Sequence, residues 1–269
     1  MDAAVELIAG GIGVVAAGLA AFRVLGRRRI IKTYQTGRSL RLKGDYEQAD
    51  RQLAVASIGF PSAQYLRFWI MLETGRVDDA RVLLTQIPRT LAGQECATWL
   101  ALRFDRLTVA EQEISKLMQL MDMNKSTPPW LHCSTVYTHG CLMIEEGSLN
   151  YALEKLSSSI QVARQAYGME SIYAVPQAVA LSYLHLLSGN LEKSGKLLLG
   201  GLRAYSKALG DGHPRTERVR AMLAIVAAAA GLVAEPQKEL VRAAKALRAG
   251  SDDATTVAKV ISWLDERRV

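Results

Sequence analysis

Cysteine, proline and aromatic residues are scarce in this chain of 269 residues, which has seven prolines, an aromatic content of 6% and only three cysteines, Cys96, Cys133 and Cys141. An odd number of cysteines without CxxC spacing excludes a disulfide framework and a zinc ribbon, and it suits a reducing compartment. Few aromatic residues beside abundant alanine, leucine and valine favour packed helices over β-sheets. We therefore expect an all-α fold.

Acidic residues are absent from residues 23–43, where eight basic residues accumulate: Arg23, Arg27, Arg28, Arg29, Lys32, Arg38, Arg41 and Lys43. The formal charge of the whole chain is +7, and the part outside this segment holds 25 basic and 26 acidic residues. That part has no general basic face of the kind that follows nucleic-acid phosphates. We expect no nucleic-acid partner.

Charged and polar side chains are also missing from the sixteen consecutive residues between Leu7 and Phe22. With Arg23 included, the hydrophobic stretch continues to Leu25 and a helix is expected from about Val5 to Leu25, since about twenty helical residues are enough to cross a hydrocarbon core of roughly 30 Å. We predict that residues 1–26 form a single transmembrane anchor. Basic residues follow the anchor, and we expect Arg27, Arg28, Arg29 and Lys32 to contact anionic headgroups. Their position after the anchor also predicts an N-terminus outside the membrane and a cytoplasmic C-terminal domain.

Three other interpretations of this stretch stay open. A cleavable signal peptide needs a positively charged region before its apolar core, but the residues before Leu7 include Asp2 and Glu6 and no basic side chain. A buried helix of a soluble domain and a helix lying in the membrane interface both need a polar face. Small residues recur every four positions, a spacing that lets membrane helices pair, so a homo-oligomer is a hypothesis for Ala9, Gly13, Ala17 and Ala21.

Glycines repeat at a fixed interval in the C-terminal half, where Gly147, Gly189 and Gly231 are each 42 residues apart. Each follows an apolar run and opens a short turn, which predicts three helical hairpins in residues 128–252. Residues 30–125 contain earlier repeats, and residues 27–43 form a basic juxtamembrane region that merges into the first of them. Residues 253–269 are predicted to be a capping helix, with one apolar face made of Val257, Val260, Ile261 and Leu264.

The segment from Thr33 resembles the tetratricopeptide repeat, a hairpin of 34 residues, at seven signature positions: Gly37, Leu40, Gly44, Ala49, Leu53, Ala56 and Pro61. Related turns follow at Gly75 and Gly147, and the 42-residue units resemble the longer repeats of kinesin-light-chain-like proteins. Ser194 and Pro236 depart from the family, which prefers alanine there. The resemblance implies an α-solenoid of TPR-like hairpins in which each hairpin buries its apolar face against the next.

The same resemblance implies a concave groove, lined by the first helix of each hairpin, that binds an amphipathic or extended peptide of a partner protein. The residues expected in this groove are Tyr34, Arg38, Arg41, Tyr137, Cys141, Val179, Tyr183, Arg218 and Ile225. For Arg38 and Arg41 the alternative of contact with anionic lipid headgroups stays open.

Chemistry-bearing residues cluster once, where four candidate metal ligands fall within ten residues, His132, Cys133, His139 and Cys141. On a helix the two cysteines point away from the face that the two histidines share, so we expect no metal site. No nucleophile is paired with a base, and no glycine-rich nucleotide-binding motif occurs outside the apolar stretch. We expect neither enzymatic activity nor a cofactor.

Together these features predict a membrane-tethered scaffold or adaptor that recruits or assembles partner proteins at the cytoplasmic face of a membrane, within a larger complex. The layout resembles that of the membrane-anchored lipopolysaccharide assembly adaptor, although the rubredoxin-type metal module of that family, with its CxxC pairs, is missing. The expected location is a bacterial inner membrane. The alternatives are an import receptor of the mitochondrial outer membrane and a structural subunit of a membrane complex.

Overall fold

The computed structural model describes residues 26–104, 106–123, 127–168, 170–249 and 255–266. All regular structure in these ranges is helical, with thirteen α-helices and one short 3-10 helix, so the prediction of an all-α fold is confirmed. Residues 1–25 of the predicted anchor, including the whole pairing stripe, lie outside the described residues. Among the helices that are described, none combines the length and the apolar character that a bilayer crossing requires.

The chain divides into two compact units, Met1–Arg67 and Phe68–Val269. In the described part of the first unit, helix α1 covers residues 26–42, α2 is Tyr46–Ser57, and α3 is Ser62–Glu73, which continues into the second unit. Helix α1 crosses α2 at Gly37, where a Cβ atom would lie only 2.7 Å from Cγ of Leu53. A glycine is needed at this position because a larger residue would push the two helices apart.

The second unit continues with ten further α-helices and a 3-10 helix: α4 (Val77–Leu84), α5 (Leu91–Arg103), α6 (Leu107–Met123), α7 (Pro129–Glu145), α8 (Leu149–Tyr167), the 3-10 helix (Ile172–Ala174), α9 (Val175–Leu187), α10 (Leu191–Leu209), α11 (Pro214–Ala229), α12 (Pro236–Ala249) and α13 (Thr255–Glu266). Helices α5 and α6, α7 and α8, α9 and α10, and α11 and α12 pack in pairs. Helices α5, α7, α9 and α11 also contact one another in sequence, and we call them the inner row. The outer row consists of α6, α8, α10 and α12.

Burial differs between the two rows as their sequences require. Helix α9 of the inner row is buried on almost every side, from Val175 to Leu186. Helix α10 of the outer row buries one stripe at spacings of three and four residues, which is the pattern of an amphipathic helix: Ser194, Leu198, Gly201, Ala204 and Tyr205. The inner row is therefore the core of the second unit.

Five turns between helices share one backbone design, with φ between +68° and +80° at Gly44, Gly75, Gly147, Gly189 and Gly231. The residue after each glycine donates its N–H to the carbonyl five positions earlier, as Ser148 does to Met143 at 2.8 Å. This Schellman ending satisfies carbonyl groups that the helix leaves open at its C-terminus, and it requires a residue that tolerates positive φ. Helix–turn–helix units are present at all three glycines of the 42-residue spacing.

Ser194, one of the departures from the repeat family, lies fully buried between α10 and α9. Its hydroxyl donates a hydrogen bond of 2.8 Å to the carbonyl of Ser182. Ser159 on α8 does the same toward the carbonyl of Cys133 on α7, at 2.9 Å. A serine is tolerated where alanine is usual because each buried hydroxyl has an acceptor on the neighbouring helix.

The predicted capping helix corresponds to α13, whose Val260 and Leu264 have no exposed surface. Helix α13 packs on α12, as a cap of the last hairpin would, and also on α7 and α9 of the inner row. The ammonium of Lys259 lies 2.8 Å from the carboxylate of Glu145 at the end of α7. Helix α13 therefore reaches back along the inner row.

Candidate functional site

The basic residues predicted to contact a membrane lie on the first turns of α1. Arg27, Arg28, Arg29 and Lys32 are all exposed. The three predicted groove residues of this unit differ in exposure: Arg38 is exposed, while Tyr34 and Arg41 are half-buried. Tyr34 packs against Phe60, with ring centroids 4.5 Å apart.

The predicted groove residues of the second unit are mostly inaccessible. Val179 is half-buried, and five others have exposures of 7% or less: Tyr137, Cys141, Tyr183, Arg218 and Ile225. The reason is that the helices of the inner row pack directly on one another, and that α13 packs on α7 and α9. Sequence reasoning placed these residues on the correct helices but did not anticipate the burial, and their part in binding stays a prediction.

The surroundings of Tyr183 show where α13 packs on the inner row. Burial raises the pKa of the Tyr183 hydroxyl, and the nearby carboxylates Glu145 of α7 and Glu266 of α13 raise it further. Since Glu145 also pairs with Lys259 of α13, the end of α7, the middle of α9 and α13 meet at one place. This part of the inner row is closed by the chain itself.

Arg218 belongs to a buried joint between the end of α3 and the beginning of α11. Its guanidinium donates to the backbone carbonyl of Glu73 at 3.4 Å, and its exposure is 4%. The carboxylate of Glu73, which is 6% exposed as a residue, forms an ion pair with Arg215. Buried charges need such partners because desolvation would otherwise be costly. Arg218 is thus part of the packing of the second unit.

The cysteines and histidines of α7 show no arrangement for metal binding. Cys133 and Cys141 are buried, His139 is half-buried and His132 is exposed. Burial raises the pKa of the Cys133 thiol, which favours the protonated form over the thiolate that binds metals. Within the described part of the chain, no three His, Cys, Asp or Glu side chains are grouped as ligands.

An open cleft of about 470 Å³ lies between the C-terminal end of α8, helix α9 and the part of α10 from Lys193 to Ala204. Its floor is apolar and consists mainly of small residues: Ala174, Val175, Ala178, Leu181, Leu197, Gly200, Gly201 and Ala204. Its rim is basic and includes Arg164, His185, Lys193, Lys196 and Arg203. The size is typical of a ligand site, and an apolar floor with charged groups at the rim is the usual composition of one.

The loop between α8 and α9 forms one wall of the cleft and is held by an ion pair. The ammonium of Lys207 on α10 lies 2.7 Å from the carboxylate of Glu170. The hydrogen bond from Lys207 lowers the pKa of the Glu170 carboxyl. Glu170 is the only acidic residue among those that line the cleft, and it is already paired.

The cations at the rim are not equally neutralised. Lys196 pairs with Glu192 at 2.5 Å. Among the described residues, Arg164, Lys193 and Arg203 form no ion pair, and the buried Nε of Arg164 has no hydrogen-bond acceptor. Burial lowers the pKa of the His185 imidazole, and the charge of Lys193 lowers it further. Among the described residues that line the cleft, the basic side chains therefore outnumber the single carboxylate of Glu170.

Sequence reasoning did not find this cleft, although two signals for it exist. Gly200 and Gly201 are adjacent in the middle of a nineteen-residue helix, where glycine is unfavourable. Lys193, Gly200 and Arg203 follow at intervals of seven and three residues, which places them on one helical face. The end of α8 that completes the site is 29 residues before Lys193, and only the packing of α8 and α10 on α9 brings them together.

Comparison with known proteins gives little beyond the helical fold. No family model matches this chain. No curated protein matches it either. Among solved structures, the chain is similar to the crystal structure of BtubC (BKLC) from P. vanneervenii, with a TM-score of 0.49 and 11% sequence identity over 78% of this chain and 91% of that chain. Function therefore has to be inferred from the residues of this chain.

Proposed function

We propose that the protein is a helical-repeat scaffold that is tethered to a membrane by its N-terminal region and recruits partner proteins at the cytoplasmic face. In this proposal residues 1–26 are a transmembrane anchor, and α1 to α12 form TPR-like hairpins that α13 closes. No catalytic residue takes part. The scaffold works by holding partners near the bilayer, within a larger membrane complex.

The observation that carries the membrane tether is the exposed basic surface of α1. Arg27, Arg28, Arg29 and Lys32 have exposed side chains directly after the uncharged stretch of the sequence. Basic residues in this position keep their side of the anchor in the cytoplasm, and each one near an anionic surface contributes about 1 kcal/mol to the attraction. Residues 23–43 contain no acidic side chain that would neutralise this surface.

Two features of the second unit support the recruitment of proteins. The helical hairpins follow one another as in repeat proteins, which commonly act through extended binding surfaces. In the described part of the chain, three cations that line the cleft beside α9, Arg164, Lys193 and Arg203, form no ion pair, and the cleft carries an excess of positive charge. A site of this kind suits an acidic partner better than a neutral one.

Membrane extraction of the full chain, carrying a C-terminal tag, tests the tether. We expect the full chain to stay with membranes during alkaline carbonate extraction, and a variant that lacks residues 1–26 to be released. In spheroplasts the tag should resist added protease until the cells are lysed. Release of the full chain by carbonate would contradict the proposal.

A charge-reversal series tests whether the surface of α1 sets the orientation. Changing Arg27, Arg28 and Arg29 to Glu should make the tag accessible to protease in a substantial fraction of molecules. The matched control changes three exposed cations of α12, namely Lys238, Arg242 and Lys245, to Glu. If both triple variants behave alike, the basic surface of α1 has no special role.

A further inference from the structure

We propose that the cleft between α8, α9 and α10 binds an acidic segment of a partner protein, with its apolar side chains on the floor and carboxylates at both ends. This inference rests on the proposed scaffold function, for which it names the partner class. The segment is identified by its chemistry, an apolar stretch flanked by acidic residues.

The charges of the rim define the first part of this chemistry. Arg164, Lys193 and Arg203 form no ion pair in the described part of the chain. The Nε atom of Arg164 is buried without an acceptor, which is unfavourable unless a ligand supplies one. A carboxylate is the natural partner, because its hydrogen bonds to a guanidinium are charge-assisted and bidentate.

Gly200 indicates a second property of the ligand, namely a backbone that comes close to α10. A Cβ atom at this position would meet no atom within 4 Å, so the packing of the described helices does not require a glycine. In the middle of a helix, glycine costs about 1 kcal/mol relative to alanine. The neighbouring Gly201 is different, because a Cβ atom there would lie 3.0 Å from Cγ1 of Val175. Packing explains Gly201, whereas the gap at Gly200 is what a ligand backbone in close contact with α10 needs.

The length of the cleft favours a peptide over an amphiphile with a single charged head. Lys193 and Arg203 are ten positions apart on α10, which at about 1.5 Å per residue separates them by about 15 Å. A fatty acid would neutralise one end and leave the other unpaired. A peptide with acidic residues at both ends neutralises both, and 15 Å corresponds to about ten helical or about five extended residues.

The test uses the full chain in detergent and three probes. The first is a fluorescein-labelled peptide of about ten residues, with two glutamates at each end and leucines and alanines between them. The second has lysines in place of the glutamates, and the third is dodecanoate, added as a competitor. We expect the acidic peptide to bind at least about tenfold more tightly than the lysine peptide in fluorescence anisotropy.

Variants of the cleft then assign the binding to these residues. Arg164→Gln and Arg203→Gln should each weaken the acidic peptide by about tenfold while the circular dichroism stays that of the parent. Gly200→Ala should raise the urea midpoint of unfolding and at the same time weaken binding. Gly195→Ala is the matched control, since Gly195 lies on the same helix, does not line the cleft, and has room for a Cβ atom at 3.8 Å from Val226. It should raise the midpoint without changing the affinity.

Several outcomes would overturn the assignment: equal affinity for both peptides, unchanged affinity in Arg164→Gln, or binding of dodecanoate without binding of the acidic peptide. If the parent chain dimerises and Arg164→Gln abolishes the dimer, the cleft binds a second copy of the chain, and the assignment to a partner protein is overturned. The membrane extraction described above tests membrane association independently of peptide binding. Failure of peptide binding with retained membrane association would end this inference and leave the scaffold proposal intact.

Discussion

The two sides of α9 show opposite solutions to the burial of a helix. One side packs against α7, α11 and α13, and the neighbouring charges there are paired within the chain, as Glu145 of α7 is with Lys259 of α13. The other side lines a cleft with basic side chains around it, of which Arg164, Lys193 and Arg203 form no ion pair with the described residues. The same helix thus forms part of the core on the side of the inner row and lines an open cleft on the side of α8 and α10.

The difference follows from the side chains that face each side. Toward the inner row, large apolar residues such as Tyr183 and Leu186 fill the space between helices. Toward the cleft, the lining residues are mostly small, among them Ala174, Ala178, Gly200 and Gly201. Small residues on both helices close a gap only if the helices approach, and here the Val175 contact at Gly201 limits that approach.

The largest expected effect on stability is at the buried joint between α3 and α11. Glu73→Gln removes the carboxylate that pairs with Arg215 beside the buried Arg218. Removing one partner from a buried ion pair typically costs about 3–5 kcal/mol, and the loss here should lie at the lower end of that range because the Arg215 side chain is 27% exposed. We expect a loss of this size in the free energy of unfolding, measured by urea denaturation of the full chain.

The control for this joint is Glu47→Gln, which removes an ion pair with Arg51 whose side chains are 81% and 66% exposed. Exposed pairs on a helix contribute little, so this variant should unfold nearly like the parent. A similar midpoint for Glu73→Gln and Glu47→Gln would show that the Glu73 joint is not part of the core.

The cover formed by α13 is the next place to break the closed side. Leu264→Ala deletes a side chain with no exposed surface, and such a deletion costs roughly 2–4 kcal/mol, including the cavity that it leaves. Because α13 also packs on α7 and α9, we expect the loss to be accompanied by increased binding of an apolar dye. A variant that loses less than about 0.5 kcal/mol would place α13 outside the core.

Two adjacent leucines of α10 allow a direct comparison of the packed core with the open cleft. Leu198 is fully buried, whereas Leu197 is half-buried and lines the cleft. Leu198→Ala should cost roughly 2–4 kcal/mol, and Leu197→Ala about 1 kcal/mol, since the cleft already exposes one side of the latter. The acidic peptide should lose affinity only for Leu197→Ala. Equal costs would mean that the cleft is filled by protein atoms in solution.

Local sequence signals predicted the helices and turns well, because each depends on a few adjacent residues. Gly147, Gly189 and Gly231 predicted turns at helix ends, and the structure has a positive φ at each of them. These features need no knowledge of distant parts of the chain. Two residues of the predicted apolar face of α13, Val260 and Leu264, are buried.

Long-range packing could not be predicted in this way. The groove residues Tyr137 and Ile225 lie on the expected helices, but nothing in their local sequence indicates that the inner row closes on them. The contact of Arg218 with Glu73 joins positions 145 residues apart. Arg164 likewise becomes part of a site only through the packing of α8 and α10 on α9.

The smallest expected effect concerns His185 at the rim of the open cleft. Burial and Lys193 lower its pKa in the folded chain, so the unfolded chain takes up a proton first as the pH falls. The free energy of unfolding should therefore decrease as the pH drops from about 7 towards 5, and His185→Gln should remove part of this decrease.

His139 on α7 is the control histidine for this experiment, because it lies outside the cleft. Burial and Lys155 also lower the pKa of its imidazole, but it does not line the cleft. A bound acidic peptide would place carboxylates near Lys193 and offset its repulsion of the His185 imidazolium. Saturating peptide should thus reduce the acid-induced loss of stability in the parent and in His139→Gln, but less in His185→Gln. The same reduction in all three chains would place the peptide away from His185, and therefore away from the cleft.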